Sequence, residues 1–488
     1  MEIEFKLSCT PEIANRLSRQ LTRLTGAPPH RLQLKNTYFD TPNQDLRANG
    51  AALRIRRQGP LSLQTVKCVG QTSGGMSSRP EWETPYTGHF DFSQISDSAV
   101  KALLETLARL PGYRATLTTD FNRSIWEWKP DTDTCIELML DRGHIRAGGK
   151  EEPICELELE LVKGDPAQLI ALVAQLGTLA PLFPAPLSKA ARGSQLLSGK
   201  RKIEVTDMSL SGSTGDAFTR LAQDNLDQIS INLPANRHDF KAENLHQVRV
   251  GLRRLRALLQ LFKPRLEKHW LKHAEQGARH HMQAIAAARA YHVLIDSLIL
   301  PALPSETLQT LHTTLVTHSE HAFAQARAHL LSASFSEWLL QVSLTLPRAL
   351  ASRKQTSQAW GKVAPTLLNK QIATYAKRIK ATRHEPEALH VLRKQGKHLR
   401  YQLNACGSRD RQLIKSLARL QETLGAFNDL YSAGDILEPL AQQSSALHKA
   451  VRHLGERQLA NHQTMLDSIL LQKKAVQANL PVRKGKGS

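Results

Sequence analysis

The first seven residues alternate, with Glu2, Glu4 and Lys6 charged and Ile3, Phe5 and Leu7 apolar. Period two puts the charges on one face of a strand and the apolar groups on the other. The pattern recurs: Glu156, Glu158 and Glu160 alternate with Leu157, Leu159 and Leu161, and Arg54 and Arg56 flank Ile55. Thr65 and Lys67 flank Val66, and Glu81 and Glu83 flank Trp82. A single strand of this kind keeps its charges in water. Five of them, some acidic and some basic, describe a polar lumen whose apolar outer side is covered by helices. Such a lumen suits a polyanion held by Arg and Lys, with a divalent cation held by carboxylates.

Helix signals frame the acidic strands. Thr10-Pro11 reads as a cap and first helical residue, followed by the stripe Ile13, Leu17, Leu21, Leu24 and a stop at Gly26. After the second acidic strand come Asp165-Pro166, then Leu169, Leu172, Val173 and Leu176, with a stop expected at Gly177. Two strand–turn–helix copies imply a pseudo-symmetric fold that brings two acidic strands together. The short strands and turns between them, through Leu187–Gly193, predict an antiparallel barrel with few helices. Ser209–Gly215 is small and polar, a linker. From Asp216 the apolar residues fall at helical spacing, with Pro301, Pro304, Pro347, Pro386 and Pro439 marking helix boundaries. The expected organisation is α+β: a barrel domain over 1–200, a linker over 201–215, an all-α domain over 216–480 and a frayed tail over 481–488.

The 488 residues contain no apolar run near the ~20 needed to span a bilayer, so no membrane partner is expected. The five scattered cysteines lack a CxxC pair, and the chain opens inside a charged strand with no signal peptide. Both point to a reducing, cytoplasmic setting. The net charge of +21 is unevenly placed: residues 1–200 hold 24 Lys and Arg against 22 Asp and Glu, the remainder 41 against 22. The basic half calls for an anionic partner. Only 5% of residues are aromatic, which disfavours stacking on single-stranded nucleic acid.

The opening Glu-x-Glu-x-Lys, Tyr38-Phe-Asp-Thr41, Leu53-Arg-Ile-Arg56, Thr65-x-Lys67, Arg79-x-Glu81, the Glu156/Glu158 strand and Ser188-Lys189 together resemble the CYTH domain, the triphosphate tunnel metalloenzymes. The resemblance implies an eight-stranded antiparallel tunnel that binds a triphosphate with Mg²⁺ or Mn²⁺. On it, Glu2 and Glu4 facing Glu156 and Glu158 form the metal cluster, and Glu81 and Asp141 support a second metal. Lys6, Arg54, Arg56, Lys67, Arg79 and Lys189 hold phosphoryl oxygens. Arg123 is either a further phosphate ligand or a rim charge, and Glu160, Glu83 and Arg192 are either solvated or supporting charges. Lys67, with Tyr38, positions or deprotonates a water that attacks in line.

Two stretches of the basic half repeat. His246, Arg249, Arg253 and Arg256 share the spacing of His390, Arg393, Lys397 and Arg400, and each set falls within one sector of a helix. A solvated cationic face would carry acidic partners one turn away, and these two are almost bare of them. The pattern, with Tyr401, Lys415 and Leu424-Gly-Ala-Phe-Asn-Asp429, resembles the CHAD domain, two related four-helix bundles whose basic channel binds inorganic polyphosphate. Arg289-Ala-Tyr-His292 departs from the family's acidic residues. The function these resemblances imply is a metal-dependent inorganic triphosphatase, with the helical half recruiting substrate or placing the protein on polyphosphate granules. The alternatives are an adenylate cyclase of the same tunnel type, a thiamine triphosphatase, or a non-catalytic polyphosphate-binding protein.

Overall fold

A computed structural model describes residues 2–481 apart from 69–70, 74–75, 111, 200–211, 304–305, 353–355 and 409, and the side chains of 2, 71–73, 76–79 and 460 also lie outside the description. Most of the expected linker and tail therefore falls outside the described residues.

The N-terminal strands are β1 (Glu2–Ser8), β2 (His30–Asp40), β3 (Ala51–Gln58), β4 (Leu61–Cys68), β5 (Gln71–Ser73), β6 (Met76–Arg79), β7 (Glu81–Pro85), β8 (Arg114–Trp128), β9 (Cys135–Ala147), β10 (Lys150–Lys163) and β11 (Phe183–Pro184). They form one antiparallel sheet in the order β5-β6-β1-β10-β9-β8-β2-β3-β4-β7, with β11 on β1. The order is linear, but β6 and β7 are consecutive segments broken at Pro80, which has no N–H to give a ladder. β6 pairs with β1 and β7 with β4. Taken as one strand, they close the ring at eight.

The two acidic strands meet: β1 pairs with β10, opposing Glu4 to Glu160, Lys6 to Glu158 and Ser8 to Glu156. Their apolar sides face outward under α1 (Pro11–Thr25) and, later in the chain, the helix Pro166–Leu179. Phe5, Leu7, Leu157 and Leu159 pack there with Leu17, Leu21, Leu172 and Leu176. Thr10 caps α1 by accepting from the Ile13 N–H, and Gly26 ends it at φ 71°. On the far wall, Asp40 accepts from the Thr41, Leu46 and Arg47 N–H groups and turns the chain into α2 (Asp45–Ala48). Leu53 and Val66 are covered there by α3 (Ser98–Leu107) and Phe92.

Two local expectations are corrected. The helix after Asp165, α4, does not stop at Gly177 but runs on to Leu179. Gly177 is instead a close approach, because a Cβ there would lie 2.9 Å from Leu340 Cδ1. Residues 189–198, read with the barrel's short strands, form α5 (Lys189–Ser198). The Ser188 hydroxyl accepts from the Ala191 N–H to start it, and Leu196 packs with Leu34, Leu117, Ile145 and Ile154. These inward-facing residues fill part of the barrel with apolar groups.

The remaining helices are α6 (Thr214–Ser230), α7 (Ala242–Phe262), α8 (Lys268–Ala284), α9 (Ala286–Leu294), α10 (Glu306–Leu330), α11 (Ala333–Thr345), α12 (Trp360–Ala381), α13 (Pro386–Ala405), α14 (Arg411–Ala441) and α15 (Ser445–Asn479). Pro386 opens α13, and Pro301 and Pro347 lie in 3₁₀ turns. Pro304 lies outside the described residues. Pro439 is no boundary, since α14 continues through it for two more residues. Among the described residues no single helix is long and apolar enough to cross a membrane.

The chain divides into two compact units that interleave in sequence. One comprises Met1–Glu204, Leu226–Phe240 and Leu331–Leu346; the other comprises Val205–Asn225, Lys241–Leu330 and Pro347–Ser488. Within the first unit α11 packs on α4. The Ser336 hydroxyl donates to Leu182 O at 2.7 Å and accepts from Leu182 N–H at 2.9 Å, and Leu340 joins the core under α1 and α4. Leu340→Ala should therefore destabilise the β-containing unit by about 2–4 kcal/mol. Urea unfolding followed by tryptophan fluorescence checks this, and an unchanged midpoint would mean that α11 is not part of that core.

Candidate active site and a second cationic cluster

The inward positions of the barrel converge on one cavity of about 290 Å³. Lys6, Arg54, Arg56, Lys67, Arg123 and Lys189 line it, opposed by Glu4, Glu81, Glu83, Glu158 and Glu160. Six cations thus face five carboxylates, so each charge is answered largely inside the wall. Tyr38 lines it too, and its hydroxyl accepts from Arg54 Nη1 at 3.4 Å. Lys67 pairs with Glu81 at 2.7 Å, and Arg56 lies 3.5 Å from Glu83, which also accepts from the Thr65 hydroxyl at 3.1 Å. Arg54 Nε and Nη2 and Arg56 Nε are buried without a hydrogen-bond partner among the described residues. Such donors are costly unless something accepts from them.

The register redistributes the expected carboxylates. Asp141, Glu156 and Glu158, from β9 and β10, have oxygens within 4.8 Å of one another. Glu4 stands apart from this trio, paired to Lys6 at 2.5 Å, and Lys6 also reaches Glu158 at 3.8 Å. Glu4 therefore opposes Glu160 rather than facing Glu156 and Glu158 directly. Glu81 belongs with Lys67 and lies 3.7 Å from Arg54, whereas Asp141 belongs with Arg123 and Lys189. Glu2 and Arg79 oppose each other in backbone register, but their side chains lie outside the description.

Lys189 is delivered by the first residue of α5. Its ammonium reaches Asp141 at 2.7 Å, Glu158 at 3.1 Å, and Glu156. Arg123 grips Asp141 with two bonds, at 2.7 and 2.6 Å, and Glu158 at 2.5 Å. Phe121 lies under both cations, 4.9 Å from Lys189 Nζ and 5.6 Å from the Arg123 guanidinium carbon. Gly143, opposite Phe121, leaves the space; a Cβ would sit 2.4 Å from the Phe121 backbone. Arg192, left open by the sequence, holds Glu152 at 2.8 Å and Glu156 at 3.0 Å. Glu152 went unnoticed because it precedes the alternating run that drew attention to the strand.

Burial alone would push Lys189 down, but Asp141, Glu156 and Glu158 outweigh it and hold its pKa above the ordinary lysine value. Burial would push Glu158 up, yet Lys189, Lys6 and Arg123 outweigh it and hold the carboxyl well below the usual range. The carboxylate trio has the hard oxygen donors that Mg²⁺ or Mn²⁺ takes, and so has Glu4. The donor chemistry fits such an ion, provided that it competes with Lys189 and Lys6 for the same oxygens.

In the second unit, α7 and α13 pack against each other, with Gln402 Nε2 donating to Ala257 O at 2.9 Å. Their half-buried basic side chains form a cluster that carboxylates do not balance. Burial, then Arg253 and Arg289, lowers Arg249 to about 10. Burial, then Arg393 and Arg253, lowers Lys397 to about 7, and burial with Arg289 lowers His246 to about 4. Arg393 has an acidic neighbour, Asp429, at 3.7 Å, and His390 bonds to Asn428. Arg256 Nε, Arg393 Nε and His246 Nδ1 are buried without a hydrogen-bond partner among the described residues. Arg289, read from the sequence only as a departure from pattern, joins this cluster, as does Lys394.

The pH dependence of the barrel follows from the trio. Glu158 titrates lower in the folded protein than in the unfolded chain, so its stabilisation is present above the ordinary glutamate value of about 4.3 and is lost as pH falls through the folded value. Lys189 titrates higher, so its share is present below about 10.4 and is lost only as pH rises through its raised value. The unfolding temperature of the first unit should therefore drop on the acid side below about pH 4, and Glu158→Gln should flatten that limb. Calorimetry against pH tests this, and an unaltered acid limb in the variant would remove Glu158 as its source.

Residues 1–194 match the family model of the CYTH domain and residues 220–438 that of the CHAD domain. An inorganic triphosphatase of Haemophilus influenzae is 33% identical over 213 residues, which are 41% of this chain and 56% of that protein. The chain thus spans little more than half the length of this curated relative. Among solved structures, the CHAD domain from the plant Ricinus communis is 25% identical at TM-score 0.49, covering 56% of this chain and 96% of its own. A protein from Hippeastrum, described as a putative adenylyl cyclase with a dominant triphosphatase activity, is 20% identical at TM-score 0.31, covering 41% of this chain and 98% of its own. The β barrel thus carries the match to the CYTH domain, and the helices that follow carry the match to the CHAD domain.

Proposed function

We propose that the barrel is a metal-dependent inorganic triphosphatase, which hydrolyses triphosphate to pyrophosphate and phosphate. The observation that carries this reading is the cavity lined by six cations, with buried Arg54 and Arg56 donors that no group among the described residues accepts. Phosphoryl oxygens complete those donors, and charge spreading over them in the transition state strengthens the bonds. The H. influenzae relative carries the same activity in its name.

Arg54 and Arg56 orient the polyphosphate chain from the β3 wall, and Lys6, Arg123 and Lys189 approach from the opposite one. Lys67, held by Glu81, lies beside Tyr38 where an attacking water is positioned; its proton passes to solvent or to a neighbouring basic group as the P–O bond to the pyrophosphate breaks. Mg²⁺ or Mn²⁺, held by carboxylates of the Asp141, Glu156, Glu158 and Glu4 set, supplies charge neutralisation to the phosphoryl oxygens. In taking those carboxylates it would compete with Lys6 and Lys189, which would then be free to hold phosphoryl oxygens. Metal and triphosphate should therefore each tighten the other's binding.

A second reading has its own observation. A further cavity of about 280 Å³ shares Lys6, Tyr38, Lys67 and Ser188 with the first, and its lining includes Phe39, Leu53, Leu117 and Pro186. Apolar space of this kind would take the organic part of ATP or thiamine triphosphate.

The helical half is proposed to bind inorganic polyphosphate through His246, Arg249, Arg253, Arg256, His390, Arg393, Lys397 and Arg400, with Arg289 added. Its unbalanced charge and unmatched donors favour this reading. Recruitment of substrate, or attachment to polyphosphate granules in the cytoplasm, is the role that follows.

Phosphate release from triphosphate, long-chain polyphosphate, ATP and thiamine triphosphate, with and without Mg²⁺ or Mn²⁺, decides the barrel's activity. Preference for triphosphate is expected, with kcat/KM falling about 10²-fold or more in Arg54→Ala and activity lost in Glu4→Ala. Turnover of none of the four would leave a binding protein. Filter binding of polyphosphate at fixed salt tests the helical half. Arg393→Ala with Lys397→Ala should weaken binding at least about tenfold, with a shallower salt slope, while triphosphate hydrolysis stays unchanged. Equal binding by the variant would sink the assignment.

A further inference from the structure

Three histidines outside both sites converge at one place in the second unit. His280 and His281 sit near the end of α8, and His329 is the penultimate residue of α10, 48 residues beyond His281. His281 Nδ1 and His329 Nε2 are 3.0 Å apart, and ring nitrogens of all three lie within 4.8 Å of one another. The ring centroids are 5.0, 5.2 and 5.9 Å apart. His281 is buried, His329 half-buried and His280 exposed, which gives an ion a way in.

We propose that His280, His281 and His329 bind one divalent transition-metal ion, Zn²⁺ by preference, and tie the end of α8 to the end of α10.

The donor set decides the class of ion. Three imidazoles and no carboxylate suit Zn²⁺, Cu²⁺ or Ni²⁺ and not the hard cations expected in the barrel. Distance supports it as well. Zn–N bonds of about 2.0–2.1 Å at the tetrahedral angle put two nitrogens about 3.3 Å apart. The His281–His329 pair needs to open by only a few tenths of an ångström, and His280 can swing in from solvent. A water completes the fourth position. Both helices also end here, and the partial negative charge of their terminal carbonyls favours a cation. Burial, then the neighbouring histidines, lowers His281 to about 3, and burial, then His280, lowers His329 too. Neither His246 nor His390 belongs to the group.

The test uses the full chain, with excess Mg²⁺ present to occupy oxygen sites in the barrel. Zn²⁺ is titrated calorimetrically, and Co²⁺ is used as a spectroscopic stand-in, because a four-coordinate nitrogen site gives a strong visible band and a six-coordinate oxygen site a weak one. The expected result is one equivalent of Zn²⁺, a strong Co²⁺ band and a rise in unfolding temperature with Zn²⁺. His280→Ala should weaken Zn²⁺ binding at least about tenfold, as loss of a ligand must exceed loss of a supporting contact, and His329→Asn should abolish the band. Exposed His280 can be removed without disturbing the core, so a folding defect in the other variant does not shelter the idea. Zn²⁺ affinity and Co²⁺ band unchanged in His280→Ala, or no band in the wild-type protein, would overturn it.

Discussion

Everything in the barrel depends on how Lys189 and Arg123 neutralise Asp141, Glu156 and Glu158. Three buried carboxylates within 4.8 Å cannot all remain ionised alone, and removing one partner of such a cluster costs several kcal/mol. The fold supplies the cations from two directions. Arg123 comes from the adjacent strand β8, while Lys189 comes from the start of a helix. That helix can begin where it does because Ser188 caps it. It can lie close to the sheet because Gly193 has no side chain; a Cβ there would meet Leu117 at 2.8 Å. The capped turn, the missing methyl and the ion cluster are therefore one construction.

That construction shapes the chemistry. A cation engaged by carboxylates is a weaker phosphate ligand than a free one, because the incoming oxygens must outbid the existing pair. Six cations against five carboxylates leave little free positive charge in the cavity until some of the acids are taken up by another cation. The helical half is the converse case. Arg249, Arg256, Arg289, Arg393 and Lys397 are all lowered from their ordinary values, chiefly by burial, and all but Arg256 also by the charge of Arg253. Such a cluster is strained as long as no anion neutralises it. On the proposed reading, one half would exchange cations before taking an anion, whereas the other would take the anion directly.

The sequence made the lumen legible because period two reports a face without reference to anything distant. Ile3, Phe5, Leu7, Leu157 and Leu159 all sit outward as alternation requires, and the charged residues between them sit inward. Register was not legible. Whether Glu4 meets Glu158 or Glu160 depends on how β1 slides along β10, and charges at every second position fit several slides equally well. The partners of Asp141 were hidden for the same reason, since Lys189 and Arg123 lie 48 and 18 residues away. Gly177 shows the limit of local rules. Glycine after a leucine stripe reads as a helix stop, but the approach of Leu340, 163 positions later, makes it an interior residue. Arg289 was seen only as a mismatch, because its role appears when α9 is placed beside α7 and α14.

Leu340 also bears on how the two halves became one protein. α11 lies within the second half of the sequence, yet its core contacts are with α4 and the barrel's outer layer. The chain leaves the second unit after Leu330, completes the first unit through Leu346, and returns. Fusion by a flexible tether would have left each core complete without the other's residues. Here the apolar face of α4 is finished by a segment that the barrel's own stretch of sequence does not contain. Cutting the chain between 200 and 211 would therefore remove Ser336 and Leu340 from a core that needs them, and loss of activity in the severed barrel would report on packing before it reported on communication between sites.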